Sequence, residues 1–170
     1  IFNEGYHTTT GDSLTKPDLS EEAIRLGRIV LQLLPETTEV AGLLALMLLH
    51  DSRRLARVDD DGEMVPLENQ NRTRWDKTKI REGCTLLEDT LPKNRIGLYQ
   101  LQAAISAVHA QSESWAQTDW HQIAALYEML HALQPSGVVR INQAIAVSFA
   151  GSPADALLML DEAATDGRFE

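Results

Sequence analysis

Eight of the chain's fifteen Lys and Arg fall between Arg53 and Arg81. Arg53, Arg54 and Arg57 come first, and Arg72, Arg74, Lys77, Lys79 and Arg81 then surround Trp75 and Asp76. A guanidinium is a planar fork that grips carboxylates or phosphates two bonds at a time. A tryptophan beside it offers apolar area for an anchor at an interface. The chemistry of this set is recognition rather than bond-making. The expected interaction face is His50, Arg53, Arg54, Arg57, Arg72, Arg74, Trp75 and Asp76, with Trp75 exposed as its anchor. The competing view is a solvated charged surface, neutralised by Asp59, Asp60, Asp61, Glu63, Glu68 and Asp76. Trp75 would then be a core residue and Asp76 the cap of the next helix.

Other reactive residue types lack the partners their chemistry needs. Asp59, Asp61, Gly62 and Glu68 overlay part of a calcium loop, but Arg57 stands where the first carboxylate ligand belongs. Glu128 and His131 have the Glu-x-x-His spacing of di-iron bundles, which require a second such pair and two more glutamates. His50, His109 and His121 lie on separate helical stretches without a second ligand at i+4. Cys84 falls on an apolar stripe, where a thiol is inert packing. The chain carries no Gly-x-Ser-x-Gly elbow and no phosphate-binding glycine loop. Neither an enzyme nor a metal or cofactor is expected.

Composition narrows the class further. Of the 170 residues, 44% are hydrophobic and 24% charged, which is ordinary for a globular chain. The net charge of −10 opposes a polyanion, so this chain alone should bind DNA weakly and without sequence preference. A single cysteine fits a reducing, cytoplasmic setting. No apolar run reaches membrane-spanning length; Val40 to Leu49 is about half of it. The sequence opens on Ile1 without an initiator Met and ends just past a helical pattern, which reads as an excised piece of a longer chain.

The elements that must position the cationic set are helices. Ala23, Leu26, Gly27, Val30, Leu33 and Leu34 recur at helical spacing between Glu21 and Leu34, with Asp18 or Ser20 as cap and Pro35 as stop. Thr38 to His50 is apolar nearly all round, the mark of a helix buried between neighbours. Asp76 opens a third helix with the stripe Ile80, Cys84, Leu87 and Leu91. A fourth carries Leu101, Ala104, Ile105 and Val108. Asp119 and Gln122 have capping-box spacing ahead of Ile123, Leu126, Tyr127 and Leu130. A sixth helix is expected from about Val138 to Ala150, and Pro153 suits the first turn of a seventh.

One stretch breaks the pattern. Between Leu55 and Glu68, Val58 and Met64-Val65 flank Asp59-Asp60-Asp61-Gly62, which predicts a short β-hairpin that Pro66 confines to an edge. Ala144, Gly151, Ala156 and Ala163 sit at the small positions of a tetratricopeptide unit, a helix pair of about 34 residues. Ala23, Val30 and Pro35 reproduce the closing half of that unit. The expected fold is thus all-α: one domain over 1–170, with antiparallel helix pairs in a degenerate tetratricopeptide-like right-handed array. The hairpin at 55–68 is its one insertion.

Several blocks resemble a known family. Ile1-Phe2-Asn3-Glu4-Gly5-Tyr6, Glu22 to Leu26, Leu34-Pro35 and Gly42 to Asp51 with Arg53-Arg54 come first in the chain. Arg72, Arg74-Trp75-Asp76, Tyr99 to Ile105, His109-Ala110, Asp119-Trp120 and Asn142-x-Ala144 follow. Together they resemble the C-terminal helical extension of a subgroup of extracytoplasmic-function RNA polymerase sigma factors. The resemblance implies a non-catalytic regulatory domain that contacts the sigma domains of its own chain or core RNA polymerase. DNA would be read only by domains upstream of Ile1, and members usually continue past Glu170 with more helix. The alternative is a small-molecule sensor, with Trp75, Arg74 and His50 lining a pocket that controls the sigma domains. A homodimer stays open under both readings; a membrane partner is not expected.

Overall fold

A computed structural model describes residues 16–90, 93 and 95–165. The resemblance block at 1–6, Leu91 of the third stripe and the closing residues 166–170 lie outside the described residues. Among the described residues seven α-helices follow one another: α1 (Lys16–Leu33), α2 (Thr38–Asp51), α3 (Lys77–Thr90), α4 (Leu98–Gln111), α5 (Trp120–Leu133), α6 (Gly137–Phe149) and α7 (Pro153–Thr165). The protein is all-α. Its described residues form two compact units, divided between Ala103 and Ala104.

In the first unit α2 packs against both α1 and α3. Its all-round apolar character is used as the sequence indicates. Leu44, Leu48 and Leu49 are essentially inaccessible, and Ala23 and Ile24 of α1 join Leu44, Met47 and Leu48 in one cluster. Gly42 permits a close approach: a Cβ there would sit 2.7 Å from the backbone nitrogen of Gln100, at the start of α4. Gln100 is itself buried, and its amide donates to the Thr90 hydroxyl at 2.9 Å and accepts from the Gly97 N–H at 3.0 Å. The Glu39 carboxylate accepts the N–H groups of Tyr99 and Gln100, so a side chain from α2 caps α4.

Two expectations for α1 are corrected. The helix begins at Lys16, so neither Asp18 nor Ser20 is its cap, and Ser20 is a buried interior residue. Pro17 fits a first helical turn, whose N–H groups have no intrahelical acceptor to lose. The buried face is also rotated from the expected stripe: Ala23 and Ile24 face the core, whereas Leu26, Val30, Leu33 and Leu34 are exposed.

The hairpin expected over 55–68 is not formed as a pair of strands. A single antiparallel bridge joins Val58 to Met64. Between them the Asp59 carboxylate accepts the N–H groups of Asp61 and Glu63, and Gly62 takes φ +85°, a left-handed turn open to glycine. Pro66 has no N–H to extend a ladder, and the chain leaves in short 3-10 turns at Leu67–Asn69 and Arg72–Arg74.

In the second unit α5 packs on α6, and α6 on α7. The Asp119 capping signal holds, its carboxylate accepting the Gln122 N–H at 2.9 Å, and the Ser136 hydroxyl caps α6 by accepting the Val139 N–H at 3.2 Å. The small residues expected at helix contacts, Ala144, Ala156 and Ala163, are 1%, 5% and 4% exposed. Gly151 turns the chain between α6 and α7 at φ +101°.

Candidate interaction site

The cationic segment between α2 and α3 is irregular in backbone but firmly attached. Asp76 donates its backbone N–H to the Ser52 carbonyl at 2.9 Å, which ties the start of α3 to the end of α2. Lys79 Nζ reaches Asp51 Oδ2 at 2.5 Å across the same junction. That aspartate side chain is 1% exposed, so the lysine is what makes its charge tolerable in the interior. The Asp76 carboxylate accepts the N–H groups of Thr78 and Lys79, which caps α3 as its sequence position indicates.

Trp75 does not stand out as an exposed anchor. It is 3% exposed and belongs to the core. The guanidinium carbons of Arg72 and Arg53 lie over its ring, 4.7 Å and 6.0 Å from the centroid. The cations attract the electron-rich ring face. The expectation failed because flanking arginines in sequence can lie over a ring as easily as beside it. The indole N–H of Trp75 is buried without a hydrogen-bond acceptor.

The remaining expected face residues divide. Arg54 pairs with Glu21 of α1 at 3.1 Å. Arg57 donates to the His50 carbonyl at 3.1 Å, which supplies a partner for a C-terminal carbonyl of α2. Burial lowers the His50 imidazole to about 3, and the nearby charges of Arg53 and Arg57 push the same way, so it is held neutral. Burial also lowers Arg72 from its ordinary value. Arg74 is exposed. The structure thus gathers His50, Arg53, Arg57, Arg72 and Trp75 into one packed knot, while Arg74 projects from it and Asp76 serves the helix.

A groove of about 510 Å³ lies in the same unit, lined by Glu21, Glu22, Ile24, Arg25, Arg28 and Lys79. Five of these six are charged. Arg25 holds Glu22 at 2.6 Å and Arg28 holds Glu82 at 2.8 Å, so the walls are knitted by ion pairs. Trp75, Arg74 and His50, the expected pocket residues, are not among its lining. Cys84 carries a thiol raised by burial and by Glu88, the opposite of an activated nucleophile. Among the described residues no group of three His, Cys, Asp or Glu could hold a metal ion, and no helix is long and apolar enough to cross a membrane.

Two polar or aromatic centres have no counterpart in the expected site. One is the Glu39–Gln100–Thr90 network, for which Gly42 and Gly97 were the available signals. The other, in the second unit, is a cluster of His109, Trp115, Trp120 and Phe149. Its Trp115–Trp120 and Trp120–Phe149 ring centroids are 4.5 Å and 4.6 Å apart. Their wide spacing in sequence leaves no short-range pattern to detect.

Over 161 residues, 95% of its length, the chain is 45% identical to an uncharacterized protein of Rhizobium meliloti (strain 1021). It spans 38% of that relative's own length. No solved structure matches the chain. The model of a family of unknown function, DUF6596, matches residues 1–91, more than half of the sequence, and the chain belongs to that family.

Proposed function

We propose that the chain is a non-catalytic regulatory domain of an extracytoplasmic-function sigma factor, acting in the cytoplasm through protein contacts. Its partners are the sigma domains of its own full chain, or core RNA polymerase. DNA is contacted by other parts of that chain. In this reading the helix pairs are a tetratricopeptide-like scaffold whose product is a surface, not a reaction.

The observation that carries the proposal is the way the resemblance blocks converge. Gly42 to Asp51, Arg53-Arg54 and Arg72 to Asp76 are separate in sequence, yet they meet at one junction through Asp51–Lys79, Asp76–Ser52 and the stacking of Arg53 on Trp75. Tyr99-Gln100 joins α2 at Gly42 and Glu39. These residues therefore build a framework that fixes a cationic segment in place on an otherwise acidic chain. Fixed side chains lose less entropy on binding than free ones. The groove, walled by paired charges, offers no apolar cavity of the kind that encloses a small ligand.

The test is promoter-dependent transcription with core RNA polymerase and the full natural chain. Initiation from a cognate promoter is expected, with output changed at least about tenfold when the segment corresponding to residues 16–165 is deleted. Failure of the full chain to associate with core polymerase overturns the proposal.

A further inference from the structure

We propose that Arg74 and the exposed face of α3 bearing Lys77 and Arg81 are a docking stripe for a short, extended acidic peptide segment. This rests on the interaction-domain reading above and names the chemistry of the partner.

Most cations of the described residues are already engaged. Arg25, Arg28, Arg54, Lys79, Lys93 and Arg140 are in ion pairs. Arg53 and Arg72 lie over Trp75, and Arg57 bonds the His50 carbonyl. Arg74, Lys77, Arg81 and Arg95 have no ion pair among the described residues; Arg74 ends the 3-10 turn that leads into α3, and Lys77 and Arg81 are the first and fifth residues of that helix. All three are exposed.

Their placement runs against the stability of α3. The first turn holds no acidic residue and the last turn no basic one; cations lead the helix while Glu88 and Asp89 close it. The charges within both turns thus oppose the helix dipole, which the Asp76 cap answers at the start. Lys77 and Arg81 are also like charges at i and i+4, a mildly repulsive pair. A charge pattern that weakens its own helix, on a chain of net charge −10, points to an anionic partner. The backbone beneath is fixed by the Asp76–Ser52 hydrogen bond and the Lys79–Asp51 pair, so the stripe is presented preformed.

Geometry favours a short peptide over a nucleic acid. Four residues of helix rise about 6 Å, close to the spacing of about 6.7 Å between same-side residues of an extended strand. Carboxylates at alternating positions of such a strand therefore match Lys77 and Arg81, with Arg74 available to a third. Thr78 and Thr85 on the same arc add hydroxyls. A longer polyanion would run from the stripe onto Glu88 and Asp89, where repulsion sets in.

The experiment titrates a fluorescein-labelled peptide carrying glutamates at three alternating positions into the full natural chain, read by anisotropy at low salt. Binding is expected to weaken at least about tenfold in the Arg74→Glu/Lys77→Glu/Arg81→Glu variant. The same variant should keep the parent's helical circular dichroism at the assay temperature, because all three exchanged side chains are exposed. The Arg95→Glu/Arg140→Glu variant, with the charge changed elsewhere, should retain binding. Equal loss in both variants, or undiminished binding in the first, overturns the proposal. So does tighter binding of a single-stranded oligonucleotide carrying the same number of charges. Failure of the sigma-factor reading is distinguishable: the peptide is held while the full chain does not associate with polymerase.

Discussion

Trp75 and Trp120 are both in the core, 3% and 9% exposed, but their surroundings differ in kind. Trp75 lies beneath two guanidinium groups, in a segment of short 3-10 turns and one β-bridge. Trp120 opens a regular helix and packs among aromatic rings that continue outward to Phe149, which is 49% exposed. Each tryptophan organises what would otherwise be loose. The first holds charge in fixed positions, and the second joins helix ends through packed rings. A buried ring under cations is thus compatible with a polar recognition surface, whereas a ring cluster reaching solvent continues the core outward.

That contrast is broken most directly by removing the rings. Trp75→Ala takes away the support for Arg53 and Arg72 together with a buried side chain, and should cost about 3–5 kcal/mol. Phe149→Ala removes a half-exposed ring and should cost about 1 kcal/mol. Urea denaturation of the two variants measures both. Equal costs would show that the guanidinium-covered tryptophan is no more integral than a surface aromatic.

The Asp51–Lys79 pair comes next. Lys79→Met leaves a carboxylate with 1% exposure and no counter-ion, at an expected cost of about 3 kcal/mol. Adding Asp51→Leu should recover much of that loss, because a well-packed apolar pair replaces a buried ionic one at little net cost. A double-mutant cycle checks it; a strictly additive result would mean the two groups do not act on each other.

How far the sequence reveals all this depends on the range of the interaction. Helix periodicity and caps are local, so both ends of α2 and α6 and the starts of α5 and α7 were legible to within a residue or two, as were the Asp76 and Asp119 caps. The alternation around Asp59 to Gly62 suggested strands, but a turn alone does not supply cross-strand partners, and one bridge is what remains. Burial of Trp75 involves a residue far along the chain, Arg53 of the preceding helix end. Nothing within a few residues of Trp75 distinguishes an arginine over its ring from one beside it. The rotated face of α1 has the same origin, since α2 chooses which of two apolar sides it covers.

His50 supplies a smaller, pH-dependent test of the first region. Its folded value of about 3 lies below the ordinary value near 6.5. The unfolded chain therefore binds the proton more readily. The stability contribution is complete above about pH 6.5 and is lost progressively as pH falls toward 3. Between pH 6.5 and 5 the loss should reach about 2 kcal/mol if burial persists. His50→Gln should flatten the stability profile in that interval, before most carboxylates titrate. An unchanged slope would mean the imidazole is not shielded by the Arg53–Trp75–Arg72 knot.

The smallest expected difference lies between the two aspartate caps. Asp119 accepts one N–H, from Gln122, at the start of a helix with no charged residue in its first turn. Asp76 accepts two, from Thr78 and Lys79, and its carboxylate is flanked by Lys77, Lys79 and Arg81. Loss of a cap alone costs about 1 kcal/mol. At Asp76 the carboxylate also answers the helix dipole and the cations gathered there. Asp76→Ala should therefore exceed Asp119→Ala by about 0.5–1 kcal/mol. Asn keeps the cap and removes the charge: Asp119→Asn should be nearly silent, while Asp76→Asn should retain most of that extra loss. Raising the salt concentration should shrink the extra loss at Asp76, because exposed charges are screened. Equal costs for the two Asn variants at low salt would show that the cationic head of α3 is indifferent to its capping carboxylate.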